Sequence, residues 1–600
     1  LKWPWNAANQ ARAHRSEKNK LPFHDVDMPM KFASLFALLT AASLQAAPAL
    51  ILHHGKVITV DKNFRIAEAI AIDADGRITA VGTNDEILAA KGAGSQVMDL
   101  GGKTVLPGLM DSHVHPGAAM IEFDHEIPTM ETIADVLAYL STRVKSSKPG
   151  DLISVRQIFI TRLEEKRYPT RAELDRIAPH NPVVFSTGPD SMLNSLALKL
   201  GGYTRDYKVP AGSAGKMEVD VNGEPTGLLR SLSHNVKAPT SSKSATAEDT
   251  YRRTIDLFHD YNSVGLTTVA DRDSSLKQCE LYQKMLTKGE LTVRMRPSPG
   301  IPSMSLWPAC AKAIDEVIQH PLTKEDPMLQ IIGTKVYLDG GMLTGSAWMI
   351  DPWGISEAYG ISDPQYRGVQ KITPERLKQL VEKVTAAGLQ FTAHSVGDAA
   401  VQLLIDTYEA VDGQAPGTVR AARSSVTHCN FMHPDSIAKA AKLGVCIDLQ
   451  PIWLHMDGRT LMGHFGEQRM SRFQPLRACF DQKVIVGGGS DHMQKIGSFR
   501  SINPYNPWLG MWTSITRRAR KLDQPVHIEN ALTREEALRL YTINNAFLLK
   551  SEKNTGSLEP GKLADIILLD RDPLTCPIDD LVQTQVLKTW LGGKLVFEKK

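Results

Sequence analysis

Between residues 49 and 107, short apolar runs alternate with turns: ALILHHGKVITV, AIAIDADGRITAVG and SQVMDLGGKTVLPG. The Asp73-Ala-Asp-Gly and Asp99-Leu-Gly-Gly segments carry turn chemistry between β-prone runs, so a small antiparallel sheet is expected there. The C-terminus repeats the style, with strand-like runs at 556–570 and 586–598 around Gly-rich turns. Two strand-rich ends predict one composite β-sandwich domain built from 49–107 plus 552–600.

The middle of the chain alternates β-branched apolar runs with amphipathic helical stretches, the pattern of parallel βα units in an α/β fold. Candidate strands cover 104–115, 266–273, 292–300, 330–340, 389–398, 424–430, 444–451 and 483–491. Eight is the number that closes a (β/α)8 TIM-type barrel, expected here over 108–551. The stretch 117–260 is too long for a loop and is expected to form an inserted α/β subdomain. A doubly wound sheet is the competing arrangement, which periodicity alone does not separate.

The start of the chain reads differently. Met30-Lys31 followed by FASLFALLTAASLQAA has the charged start, short apolar core and small residues of a secretory signal. Residues 30–47 are therefore expected to direct export to the periplasm or medium, and 1–29 to be an upstream extension without a role in the fold. A buried N-terminal helix is the alternative. The apolar run is too short to span a bilayer, which takes ~20 residues, so no stable membrane insertion is expected.

With 600 residues, two or three domains are expected. The hydrophobic fraction of 42% is that of a globular protein. Net charge is +3, but the first 31 residues hold six Lys/Arg against three Asp/Glu, which leaves the rest of the chain neutral. A neutral body excludes the basic face that a nucleic-acid partner wants. The six cysteines lack C-x-x-C spacing, so free buried thiols are expected rather than a disulfide framework or a zinc ribbon.

What sits at the C-terminal ends of the predicted strands is more informative, because barrel enzymes place their catalytic groups there. The first strand ends in Asp111-Ser-His113-Val-His115, and alternation points both histidines to one face, where they can share an ion. The fourth carries Lys335 inside an apolar run. A desolvated lysine is a neutral amine that can take up carbon dioxide as a carbamate; an ion pair with Asp339 is the alternative. The fifth ends in His394, the sixth in His428 and the eighth in Ser490-Asp491. Imidazole and carboxylate donors suit zinc, with manganese, iron and nickel also compatible.

The order H-x-H, Lys, His, His, Asp along successive strands resembles the amidohydrolase superfamily. The details are similar to amidohydrolase family 3, the branch with N-substituted formamide deformylase-like enzymes. The matching stretches are Leu106-Pro-Gly-Leu-Met-Asp-Ser-His-Val-His115, Gly223-Glu-Pro-Thr-Gly227, Gly265-Leu-Thr-Thr-Val269, His394 with Gly397-Asp398, Ser490-Asp491 and the 556–565 tail. The resemblance implies a metal site of His113, His115, Lys335, His394, His428 and Asp491. With two ions, a carboxylated Lys335 bridges them; His113, His115 and Asp491 hold one, His394 and His428 the other. With one ion, fewer of these ligate. Two departures leave the substrate open: Gly188-Pro-Asp replaces a Gly-His, and His492-Met493 replaces a Trp-Pro.

The expected reaction is hydrolysis of a carbon–nitrogen amide bond, N-acyl or formamide-like, in a small molecule. Metal-activated water attacks, Asp491 shuttles the proton, and His394 polarises the carbonyl if only one ion is present. Ester or lactone hydrolysis is an alternative. Deamination is disfavoured because no H-x-x-E follows from His394, and an acyl-enzyme route because no G-x-S-x-G occurs. A non-catalytic exported binding protein would show a broken ligand set. Arg272, Trp348, Trp453, His455 and Arg472 are candidates to line the pocket. The substrate and any homo-oligomer stay open.

Overall fold

The computed structural model describes residues 47–600 other than 157, 188, 189, 211, 212, 214 and 233. The 1–29 extension, the signal segment apart from Ala47, and the altered Gly188-Pro189 lie outside the described residues. Among the described residues no helix is long and apolar enough to cross a membrane. None of the six cysteines is in a disulfide; five are buried and Cys576 is half-buried.

The middle of the chain is α/β. Its parallel strands are β1 (Leu109–Val114), β2 (Leu266–Ser274), β3 (Arg294–Met295, resumed at Ser298–Pro299), β4 (Gly333–Tyr337), β5 (Gln390–Ser395), β6 (Ser425–His428), β7 (Cys446–Leu449) and β8 (Val486–Gly488). β1 pairs with β2 and β2 with β3, all parallel. A Gly300–Lys335 bridge reaches β4, and β4 to β8 pair in order. After β8, a parallel bridge joins His492 to Val114 at the end of β1. The register places Tyr337, His394, Thr427, Asp448 and Gly487 side by side on five neighbouring strands. Pro297, which lacks an N–H, interrupts β3 where one unbroken strand was expected.

Helices fill the intervals between β2 and β7. Pro374–Ala386 starts on a threonine N-cap, the Thr373 side chain accepting from Arg376 N, with Pro374 in the first turn where its missing N–H costs nothing. It buries Leu377, Leu380, Val381 and Val384, a spacing of three and four that makes one apolar face. That face shares a core with Val336 and Phe391 of the strands and with Leu404 and Tyr408 of helix Asp398–Gln414. Each such side chain contributes about 1.5–3 kcal/mol through burial.

The expected strand 104–115 is two strands. Thr104–Pro107 belongs to a six-stranded sheet, and the chain changes layers at Gly108, where a Cβ would lie 2.2 Å from Thr267 Oγ1. That sheet runs Lys594–Glu598, Val586–Leu591, Ile566–Leu569, Thr104–Pro107, Lys56–Ile58, Ile66–Ala67, so strands from both ends of the chain pair directly. Ile567 lies opposite Leu106. A second sheet orders Ile78–Gly82, Ala69–Ile72, Leu50–His53 and Gln96–Asp99. The antiparallel expectation for 49–107 is corrected in part: Leu50–His53 pairs parallel with Gln96–Asp99, and Lys56–Ile58 parallel with Thr104–Pro107. The intervening hairpin and the short helix Asn84–Leu88 carry the chain back to the same side, which a parallel pair requires. Leu52, Val57, Ile70, Val105, Ile566, Leu568 and Trp590 form their common core.

Within 117–260, the five strands Lys216–Val219, Pro225–Arg230, Asp190–Leu193, Val183–Thr187 and Ile153–Arg156 form one sheet. Its core includes Met342, Met349 and Trp353 from the segment after β4, so this sheet packs beside the strand ends.

A buried ion pair ties the tail to the parallel strands. Arg294 Nε and Nη2 donate to the two carboxylate oxygens of Asp565, both at 2.7 Å, and Asp565 also accepts from Gly592 N at 2.8 Å.

Candidate functional site

His113, His115, His394 and His428 lie at the C-terminal ends of β1, β5 and β6 or immediately past them, Lys335 lies in the middle of β4, and Asp491 follows β8. All six line one cavity of about 520 Å³. His113 is fully buried and His115 partly exposed at the mouth.

His113 Nε2, His115 Nε2 and Asp491 Oδ1 converge. The two imidazole nitrogens are 3.2 Å apart, and the carboxylate oxygen lies 3.4 Å from the first and 3.1 Å from the second. Among the described residues, these three form a group close enough to hold a metal ion. A tetrahedral ion with bonds of about 2.0–2.1 Å sets its donors about 3.3 Å apart, so the observed edges fit zinc-like coordination. His113 Nδ1 sits 3.1 Å from Asp448 Oδ2 and donates to it, which fixes the tautomer with its lone pair on Nε2.

Backbone geometry holds the third donor. Asp491 adopts φ +56°, a left-handed conformation that Asp tolerates better than most residues, and its N–H donates to His113 O at 2.8 Å. Asn503 Nδ2 donates to Asp491 O at 2.8 Å and to Oδ2 at 3.3 Å. Asp111 Oδ1 accepts from both His113 N and Ser490 N, joining the ends of β1 and β8. Gly489 permits this approach, since a Cβ there would meet Ser112 Oγ at 2.8 Å and His113 N at 2.9 Å. His428 and Cys429 also have positive φ, at 77° and 46°, so strain gathers at the strand ends as it does at functional sites.

His428 and His394 stand beside this group. Their ring centroids are 4.6 Å apart, and His428 is 4.9 Å from His113. His428 Nδ1 is 2.7 Å from Gln450 Oε1, which leaves Nε2 as its free lone pair. His394 Nε2 is 3.0 Å from Gly340 O, so it carries the proton and Nδ1 is the lone pair. Lys335 is buried, and its Nζ has no hydrogen-bond partner. It does not pair with Asp339, whose carboxylate accepts instead from Trp348 N, Val396 N and Gly397 N.

Electrostatics follow burial. Desolvation pushes Lys335 down to about 7, with the Asp448 charge working against that shift. Desolvation also holds His113, His394 and His428 well below the ordinary imidazole range, reinforced by the cationic groups around them. That environment favours the neutral imidazole, the form able to hold a metal ion. Asp491 is raised by burial, against the pull of its His115 partner.

Of the pocket candidates, Trp453 lines the cavity and stacks on His428, with centroids 4.9 Å apart. Arg272 lies inside the strand layer, donating to Ser112 O, Ser298 Oγ and Gln390 Oε1. His455 lines a neighbouring cavity, Arg472 a third, and Trp348 lines none of the three. Of the altered pair after Asp491, Met493 lines the site. His492 faces away, its ring nitrogens on Tyr261 Oη and Lys495 O.

Asp448, Gln450, Asp111 and Asn503 were not among the sequence candidates. The signal for the first two was available: one acid and one amide in the apolar run GVCIDLQP. Ser112 Oγ and Gln450 Nε2 both donate to Asp448, which fixes the carboxylate that orients His113. Asp448→Asn is expected to weaken zinc binding about 10–100-fold, measured by competition with a chromophoric chelator. Unchanged affinity would show that His113 does not depend on this partner.

A family model described as "Amidohydrolase family" matches residues 96–597. The N-substituted formamide deformylase of Arthrobacter pascens is 28% identical over 560 residues, covering 92% of this chain and 98% of its own length. Two solved structures described as uncharacterized metal-dependent hydrolases show the same fold. That of Pyrococcus horikoshii OT3 has TM-score 0.63 at 20% identity, covering 88% of this chain and 99% of its own. That of Pyrococcus furiosus has TM-score 0.60 at 21% identity, covering 88% and 100%.

Proposed function

Because this chain belongs to the amidohydrolase family, we propose that it is a metal-dependent hydrolase that cleaves a carbon–nitrogen amide bond in a small molecule. The observation that carries this reading is the convergence of His113 Nε2, His115 Nε2 and Asp491 Oδ1 at 3.1–3.4 Å, with spacings that suit a zinc ion. The Arthrobacter relative's name, a formamide deformylase, supports an N-acyl or formamide-like substrate.

The fold proposed for this chemistry is a closed (β/α)8 barrel over 108–551. The order of parallel pairings and the return bridge from His492 to Val114 support it. The sheet within 153–230 is proposed as an inserted subdomain, and the strands of 49–107 and 552–600 as one β domain.

A bound divalent ion supplies a Lewis acid and makes water more acidic. The chain's own part is positional and protonic. His113, oriented by Asp448, and His115 hold two of the donor positions. Asp491 offers Oδ1 as a donor, and its carboxylate beside His113 and His115 is placed to take a proton from attacking water and pass it to the leaving amine. His394, with its Nε2 proton engaged by Gly340 O, suits a donor role through Nδ1 better than a carbonyl-polarising role. The unpartnered amine of Lys335 favours a two-ion reading, in which its carbamate joins His394 and His428.

The test is amine release from N-substituted formamides and N-acyl amino acids by metal-loaded protein. Stripping the metal should abolish release and zinc should restore it. Full turnover by protein shown to be metal-free would overturn the reading.

A further inference from the structure

The cavity beside the ligand cluster holds a second cation that the chemistry above does not use. Lys371 lies past β4 and lines the cavity together with Lys335. It is half-buried, and among the described residues no carboxylate lies within ion-pair distance of its ammonium. The carboxylates whose charges reach it, Asp339 and Asp190, both lie beyond ion-pair distance and have other partners. Asp339 accepts from three backbone N–H groups and lies 3.7 Å from His394 Nε2. Asp190 accepts from Ser231 N and faces the Arg230 guanidinium at 3.6 Å.

Tyr337 fixes where this charge sits. Lys335 Nζ and Lys371 Nζ approach the same phenol ring, 5.7 and 5.6 Å from its centroid, and that ring lies 5.3 Å from the His394 imidazole. Lysine is seldom withdrawn from water without a partner. Here the site offers a positive group one aromatic ring away from the donors, inside walls made by Phe159, Met304, Leu343, Val396, Trp453 and Met493. Those walls suit an apolar substituent, and a cavity of about 520 Å³ is large enough for one.

We infer that Lys371 is a specificity residue that binds a carboxylate on the substrate, so the enzyme acts on anionic amides with an apolar side group. The inference rests on the amide-hydrolase reading and narrows it to one charge class. The ammonium forms a charge-assisted hydrogen bond with the carboxylate at the end remote from the scissile carbonyl. Neutral formamides lack that contact, which corresponds to about 10–100-fold in affinity.

The test compares N-acetyl-leucine and N-formyl-leucine with their carboxamides, using zinc-loaded protein. Wild type is expected to favour the carboxylates at least tenfold in kcat/KM, through KM. In K371M and K371Q that ratio should collapse toward unity, while K371R should retain part of it. Wild type without a preference, or variants that keep it, would overturn the inference. If neither series is hydrolysed, the amide-hydrolase reading fails, and calorimetric binding of N-acetyl-leucine decides for Lys371 alone. Binding at least tenfold weaker in K371M upholds the carboxylate site; equal or absent binding to wild type and variant overturns it.

Discussion

Asp491→Asn is expected to lower kcat/KM by about 10³-fold while leaving the fold in place. The substitution removes two things together: the negative charge facing His113 and His115, and the proposed base for the proton that passes to the leaving group. Asn is the informative replacement, because Asp491 holds φ +56° and asparagine is at home in that left-handed region. Alanine there would add backbone strain to the loss of charge. The Asn503 contact to the backbone carbonyl remains, and so does the Asp491 N–H bond to His113 O. Metal content and thermal midpoint should be measured beside the kinetics. A variant that keeps its metal and works within tenfold of wild type would remove Asp491 from the proton path.

The second large effect is on stability. Asp565→Ala should destabilise the protein by about 3–5 kcal/mol, because it leaves Arg294 buried, charged and without its bidentate partner. Gly592 N–H loses its acceptor at the same time. The measurement is urea denaturation followed by tryptophan fluorescence. Arg294→Met combined with Asp565→Ala should recover part of the loss, since the double variant no longer strands a charge. A single variant as stable as wild type would show that the pair adds nothing at this joint.

Much of the site was legible in the sequence. Each candidate donor except Lys335 sits at the polar end of an apolar run, and strand alternation alone puts His113 and His115 on one face. The residues that orient them were less visible. Asp448 and Gln450 are single polar positions on β7, and only the register beside Thr427 and Gly487 brings Asp448 to His113. Asn503 reaches Asp491 from a loop with no periodicity to read. Arg272 misled as a pocket residue because the ladder β1–β2–β3 turns its side chain into the strand layer, where Ser112, Ser298 and Gln390 absorb it. The single strand expected over 104–115 hid a change of layer, marked in the sequence by no more than Gly108. The parallel pairings of 49–107 were hidden for a related reason: turn chemistry shows where a chain bends, and partner choice depends on what lies across the sheet.

The pairing of Thr104–Pro107 with Ile566–Leu569 also governs how the protein can be made. The N-terminal strand emerges from the ribosome on the order of half a minute or more before its neighbour exists, at about 5–20 residues per second. Until then its inner edge offers unmet N–H and C=O groups to any strand nearby, including one on another nascent chain. A chain that stops before Ile566 therefore keeps an unpaired edge at Thr104–Pro107. The sheet can close only once Ile566–Leu569 has been made.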